Sequence, residues 1–233
     1  MPDFIVLIIV FSVTVNSSMT IELDHIMPTP LKDRFLQRSS DVWNTTVQFN
    51  QGEFIKIKAP SGTGKTTFIH ILYKLRYDYT GTISFDQKAS AEYGENELAT
   101  LRQSKIGIVF QDLRLFPNLT ARENIELKRI LQTPFYNSDV IDEMAKTLGI
   151  AHILQQKAGL CSYGEQQRIA IIRSLVQPFE WLIMDEPFSH LDSDNTSKAA
   201  TLIETECKKR NAGLIITDLE DDNHFQYNRR LVL

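Results

Sequence analysis

Cysteine is scarce. The chain holds two, Cys161 and Cys207, with no C-x-x-C spacing. That excludes a disulfide-built scaffold, argues against a structural zinc site and suits a reducing compartment. A basic excess is also missing: 25 Lys and Arg stand against 29 Asp and Glu, a net charge of −4. The chain therefore lacks the electrostatic footprint of a nucleic-acid binder. No apolar run reaches the ~20 residues of a membrane-spanning helix. The nearest approach, Phe4 to Val15, has the length of a signal-peptide core, but Asp3 precedes it and no Lys or Arg does. Residues 1–18 read as an apolar extension ahead of the fold, with Met19 as the functional start of one domain over 19–233. There is no internal repeat and no low-complexity linker. What remains, 42% hydrophobic and 23% charged, is the composition of an ordinary globular domain.

The apolar pattern predicts strands at Ile21 to Ile26, Thr46 to Asn50 and Phe54 to Ala59, with a loop from Pro28 to Ser40. Phe68, Ile69, Leu72 and Leu75 give helical spacing to Lys65–Leu75. Strands follow at Gly81 to Phe85 and Lys105 to Phe110. Residues from about 112 to 178 read as mostly helical. Within them Thr120 and Glu123 form a capping box, and a helix over Ser138 to Leu148 stops at Gly149. Trp181 to Met184 suits a strand buried on both faces. Ser193 to Arg210 reads as a helix with a basic end, followed by strands at Leu214 to Thr217 and Arg230 to Leu233. The predicted class is α/β: a parallel-core sheet with a helical subdomain over about 112–178.

The chemistry begins at Ala59-Pro60-Ser61-Gly62-Thr63-Gly64-Lys65-Thr66-Thr67. It fits the phosphate-loop pattern G-x-x-x-x-G-K-[ST], with Ala59 in place of the first glycine. Gly62 and Gly64 allow the turn that aims backbone N–H groups at phosphate oxygens, and the following helix adds its positive end. Lys65 would bridge the β- and γ-phosphates and Thr66 would bind Mg²⁺. Ala59 is tolerable if its backbone is ordinary. Downstream, Trp181-Leu-Ile-Met-Asp-Glu186 is an apolar strand delivering two adjacent acids. Asp185 suits a Mg²⁺ ligand, and Glu186 is placed to polarise an attacking water.

Between these lies Cys161-Ser-Tyr-Gly-Glu-Gln-Gln-Arg168. Ser162 and Glu165 form a capping box, so a helix starts there, a ready anion site. Gly164 in its first turn costs ~1 kcal/mol against Ala, a cost that close backbone approach to a ligand would explain. The segment resembles the L-S-G-G-E-Q-Q-R signature of ABC (ATP-binding cassette) transporters. Gln111 in Val109-Phe-Gln-Asp112 resembles that family's Q-loop, Ser189-His-Leu-Asp192 its D-loop, and Pro187 follows Glu186 as in the family. The resemblance covers Thr20 to the C-terminus and implies a P-loop NTPase of ABC type, with an antiparallel β subdomain beside the parallel core. It further implies ATP and Mg²⁺ as cofactors and a two-fold dimer. In that dimer Ser162, Gly164 and Glu165 of one copy meet the nucleotide of the other, and Gln111 senses metal and water. The implied partners are ATP, a second copy and a transmembrane permease, not nucleic acid, at the cytoplasmic face of the plasma (inner) membrane. The stretch Asp112 to Thr120 is similar to that of the lipoprotein-release, macrolide-exporter and cell-division group.

Some positions depart from the family. Cys161 is mild. Tyr163 replaces a signature glycine, so its side chain either points off the nucleotide or stacks near the ribose. Asp218 stands where the family has a switch histidine. One like charge at ~5 Å and an effective dielectric near 20 costs roughly 3 kcal/mol. Either Asp218 turns away, or it is protonated, or hydrolysis is slow; His224 is a candidate substitute. His25, His70 and His152 read as structural. Phe35 and Trp43 are the candidate adenine platforms, with Phe35 nearer the family's spacing; either could equally serve to anchor the loop. Two functions follow: a transporter ATPase, or an ATP-gated clamp with weak hydrolysis that regulates a membrane partner. A DNA-repair or translation factor would carry zinc hooks, coiled coils or tandem cassettes, none of which is visible.

Overall fold

The computed structural model describes residues 18–35 and 39–233. The apolar extension therefore lies outside the described residues, save for Ser18. Two sheets organise the chain. A four-stranded antiparallel sheet has the order β2-β1-β4-β5, from β1 (Ile21–Pro28), β2 (Thr46–Phe49), β4 (Tyr79–Phe85) and β5 (Lys88–Ala89). A five-stranded parallel sheet has the order β6-β7-β8-β3-β9, from β3 (Phe54–Lys58), β6 (Ile106–Val109), β7 (Trp181–Asp185), β8 (Gly213–Asp218) and β9 (Arg229–Val232). The helices are α1 (Lys32–Phe35), α2 (Lys65–Leu72), α3 (Glu95–Ser104), α4 (Ala121–Ile130), α5 (Asp139–Thr147), α6 (Tyr163–Val176) and α7 (Ser193–Arg210).

Period-two alternation divides the core. Trp181, Ile183, Ile55, Ile57 and Ile215 point to the face shared with α2, α3 and the antiparallel sheet. Leu182, Met184, Leu214 and Ile216 point to the opposite face, covered by α4 to α7. Both faces being covered is what an all-parallel sheet requires. The strands β7 and β8 run side by side, pairing Met184 with Ile216 and Asp185 with Thr217. Their carboxyl ends, with that of β3, therefore open at one edge, where ligands bind in such sheets.

Several expectations shift. The segment expected as a loop, Pro28 to Ser40, contains a 3₁₀ turn, Thr29–Leu31, and the short helix α1. The helix expected over 65–75 ends at Leu72, because the chain turns through Lys74 at φ 57°. Strand β5 and helix α3 were not predicted. At α7 the fit is close: Asp192 caps its start by accepting from the Asn195 N–H at 2.8 Å, and Asn211 ends it in the left-handed region at φ 51°. Its last basic residue is not a solvated charge: Arg210 is buried on Glu206 at 2.9 Å.

Candidate functional site

The phosphate loop leaves β3 at Ala59, which is fully buried and not among the positive-φ residues, so the missing glycine has no conformational cost. Gly62 (φ 81°) and Gly64 (φ 92°) are left-handed, which glycine adopts freely. Thr63 closes the turn through its N–H (3.1 Å) and hydroxyl (2.7 Å) on the Pro60 carbonyl, and the Trp43 indole N–H donates to the Thr63 carbonyl at 3.1 Å. Helix α2 starts at Lys65, with its unpaired N–H groups at the loop. A cavity of about 400 Å³ lies over residues 59–67, and Gln111, Glu186 and Leu219 form its other wall.

Asp185 and Glu186 reach this place from the end of β7. Asp185 is 2% exposed and accepts from the Thr217 hydroxyl at 2.7 Å. Burial pushes its carboxyl up; the Thr217 hydrogen bond and the Lys65 charge oppose this. Glu186 pairs with the Lys65 ammonium, which lies 4.0 Å from Asp185. Burial lowers the Lys65 pKa, and the charges of Asp185 and Asp218 push it back up. Gln111 donates to the other Glu186 oxygen at 3.4 Å. The structure thus brings Lys65, Asp185, Glu186 and Gln111 together, with the exposed Thr66 hydroxyl beside them.

Glu186 has φ 47°, a left-handed conformation uncommon for a non-glycine residue. Its N–H donates to the Thr217 carbonyl at 3.0 Å. Its carbonyl accepts from Gln167 at 3.0 Å, and the Gln167 oxygen accepts from the His190 N–H at 3.1 Å. Sequence reasoning gave Gln167 no role; it stands among polar neighbours, Glu165, Gln166 and Arg168, with nothing to mark it as the buried one.

The signature residues Ser162, Gly164 and Glu165 do not line the cavity of their own chain. Ser162 caps α6, with its N–H (2.7 Å) and hydroxyl (2.9 Å) on the Glu165 carboxylate. That hydrogen bonding holds the Glu165 carboxyl below its ordinary value. Gly164 packs on the D-loop: a Cβ there would stand 2.9 Å from the His190 carbonyl oxygen. Close approach of the chain's own backbone therefore accounts for this glycine without a ligand. Tyr163 turns to its own chain as well. Its hydroxyl donates to the Gln111 carbonyl at 3.2 Å and its ring lies 4.1 Å from that of His190.

Asp218 turns aside. Its carboxylate lies 3.6 Å from the Lys56 ammonium and accepts from the Leu219 N–H at 2.7 Å. It lines a separate cavity of about 530 Å³, together with His224, and the residue at the edge of the phosphate cavity is Leu219. His224 packs edge-on against Phe188, away from the phosphate loop. Phe35 is also elsewhere: it is buried edge-on against Trp43 and borders a cavity beside β1 rather than the phosphate cavity. Trp43 is covered too, at 3% exposed. The buried Lys56 was missed; in the alternation Phe54-Ile-Lys-Ile-Lys58 nothing marks it from Lys58, which is half-buried.

The oxygen donors fit a hard cation. Thr66, Asp185 and Gln111 line a cavity of about 320 Å³, and Thr66 and Gln111 also line the phosphate cavity. A single carboxylate with hydroxyl and phosphate oxygens is how Mg²⁺ is commonly held, so the lack of any cluster of three His, Cys, Asp or Glu among the described residues is no obstacle.

Known proteins resemble this chain in sequence and fold. The family described as ABC transporter matches residues 42–189. The glucose import ATP-binding protein GlcV of Saccharolobus solfataricus is 38% identical over 162 residues, 69% of this chain and 46% of that protein. The lipoprotein-releasing system ATP-binding protein LolD of Geobacter metallireducens is 36% identical over 169 residues, 71% of this chain and 75% of that one. Two structures of MJ0796, a bacterial ABC transporter cassette, superpose with TM-scores of 0.71, each covering 86% of this chain and 88% of theirs. One is dimeric, at 27% identity, and the other is a dimeric post-hydrolysis state bound to ADP and Pi, at 26%. The alignment with GlcV thus spans less than half of that protein's length.

Proposed function

The chain belongs to the ABC transporter family, and from that premise we propose that it is the ATP-binding subunit of a transporter, hydrolysing ATP in a two-fold dimer to drive a separate membrane permease. The observation that carries this reading is the convergence of Lys65, Asp185, Glu186 and Gln111 beside the cavity that the glycine loop lines. The loop's N–H groups and the start of α2 bind phosphate oxygens. A γ-phosphate competes with Glu186 for the Lys65 ammonium. That competition frees the Glu186 carboxylate to orient and polarise a water in line with the phosphate. Gln111, hydrogen-bonded to Glu186, shares in placing that water. Thr66, Asp185 and Gln111 would hold Mg²⁺, which when bound offsets phosphate charge.

In the dimer, Ser162 and the Gly164 N–H of the partner complete the site, as the exposed Ser162 and half-buried Gly164 at the start of α6 allow. No described helix is long and apolar enough to cross a membrane. Attachment to the cytoplasmic membrane face through a permease is accordingly part of the same proposal.

One observation favours the second reading, an ATP-gated clamp with slow turnover. The edge where a switch side chain would donate a hydrogen bond to the γ-phosphate presents Leu219, which has no side-chain donor. Steady-state ATPase assays on the chain with its permease separate the two. Turnover abolished by Glu186→Gln supports the hydrolytic reading; a low rate that this substitution leaves unchanged supports the clamp.

A further inference from the structure

The site described so far leaves Lys56 unused. It stands on β3 between Ile216 of β8 and Arg230 of β9, and its side chain is 1% exposed. A buried ammonium persists only when paired. Lys56 pairs with Asp222 and has Asp218 at 3.6 Å. Asp222 also accepts from the Tyr227 hydroxyl at 2.8 Å and the His224 N–H at 2.9 Å, so the loop after β8 folds over the lysine.

Asp218 is tied to the phosphate loop. Its carbonyl accepts from the Ala59 N–H at 2.8 Å, and its charge acts on Lys65. An unopposed carboxylate at this point would repel a triphosphate more than a diphosphate, since the γ-phosphate adds charge nearest the switch edge. The observed carboxylate is opposed: it leans on Lys56 and the Leu219 N–H and lines the neighbouring cavity.

We propose that Lys56 is a positioning residue for triphosphate binding, turning the Asp218 carboxylate from the phosphate cavity and offsetting part of its charge, so that the γ-phosphate meets the neutral edge at Leu219. The inference rests on the reading of that cavity as an ATP site. A merely structural lysine, pinning the loop through Asp222, would not distinguish ATP from ADP.

The test is equilibrium binding of ATP and of ADP, each with Mg²⁺, by displacement of a fluorescent nucleotide. Lys56→Met is expected to weaken ATP about tenfold and ADP less than about threefold, and adding Asp218→Asn is expected to restore ATP to within about threefold. Equal weakening of both nucleotides, or no restoration, overturns the proposal. Should Lys56→Met fail to fold, Asp218→Asn alone decides. With the carboxylate already turned aside and partly offset, ATP affinity is expected to stay within about threefold; a gain of about tenfold or more overturns the proposal. If the unsubstituted chain binds neither nucleotide, the ATP-site reading falls and takes this inference with it. If it binds both and the rescue fails, this inference falls alone.

Discussion

The side-chain amide of Gln167 donates to the main-chain carbonyl of Glu186 at 3.0 Å, joining the middle of α6 to the residue that faces the phosphate cavity. The other end of the same amide holds the His190 N–H, and Gln167 is 1% exposed. Both ends thus fix the loop from 186 to 190, in which Glu186 is left-handed.

Gln167→Leu takes the partner from the His190 N–H and leaves the Glu186 carbonyl on Ser189 alone, at 3.2 Å from its hydroxyl, which frees Glu186 to shift. A displacement on the order of 1 Å costs roughly 10²-fold in rate. The expected outcome is a kcat lower by roughly that factor, with KM for ATP changed less than about threefold. Gln167→Glu keeps the acceptor for His190 and loses the donor to Glu186, so its kcat is expected between the two. Parallel changes in KM and kcat for both variants would assign Gln167 a purely structural role.

Gly164→Ala sets two effects against each other. Alanine gains about 1 kcal/mol of helix propensity. Its Cβ would meet the His190 oxygen at 2.9 Å, and forcing atoms into a packed contact costs about 1–3 kcal/mol. The second effect is expected to win by about 1 kcal/mol, read as a lower urea midpoint with an unchanged m-value. A raised midpoint would show that the D-loop yields freely.

Much of this was legible in the sequence because the chemistry is local. Residues 59–67, the Asp185–Glu186 pair and the Ser162 capping box each lie within a few residues of one another, and each fell where local spacing placed it. The partners of the departures were not legible. Asp218 reads as an unopposed acid until β8 is laid beside β3, which brings Lys56 to it across the sheet. Gly164 reads as a ligand contact until His190, contributed by a later loop, occupies the space. Phe35 follows the expected spacing for a base platform, but tertiary packing buries it against Trp43.

Acid should expose the Lys56 cluster. Burial raises the Asp222 pKa, but hydrogen bonds from Lys56, the His224 N–H and Tyr227, with the Lys56 charge, outweigh it and hold the carboxyl below its ordinary value. The folded pKa being the lower, this group's contribution to stability is full above about pH 4 and is lost as pH falls through the folded value. Asp222→Asn is expected to cost roughly 3 kcal/mol at pH 7, the scale for breaking a buried pair. The difference from the unsubstituted chain should shrink as pH drops below about 4. A pH-independent difference in chemical denaturation would assign the loss to packing.

Lys65→Ala removes the charge that would meet the β- and γ-phosphates. ATP affinity is expected to fall roughly 100-fold, about 3 kcal/mol, and the melting temperature without nucleotide is expected to fall as well, since the buried Asp185 and Glu186 carboxylates lose their cation. Differential scanning fluorimetry with and without Mg-ATP reads both quantities.

The most direct measurement is the oligomeric state of Glu186→Gln by multi-angle light scattering, with Mg-ATP and with Mg-ADP. A triphosphate bridging the phosphate loop of one copy and the α6 start of another yields a dimer with ATP and a monomer with ADP, and adding Lys65→Ala abolishes the dimer. A monomer with both nucleotides, or an ATP dimer that survives Lys65→Ala, would contradict it.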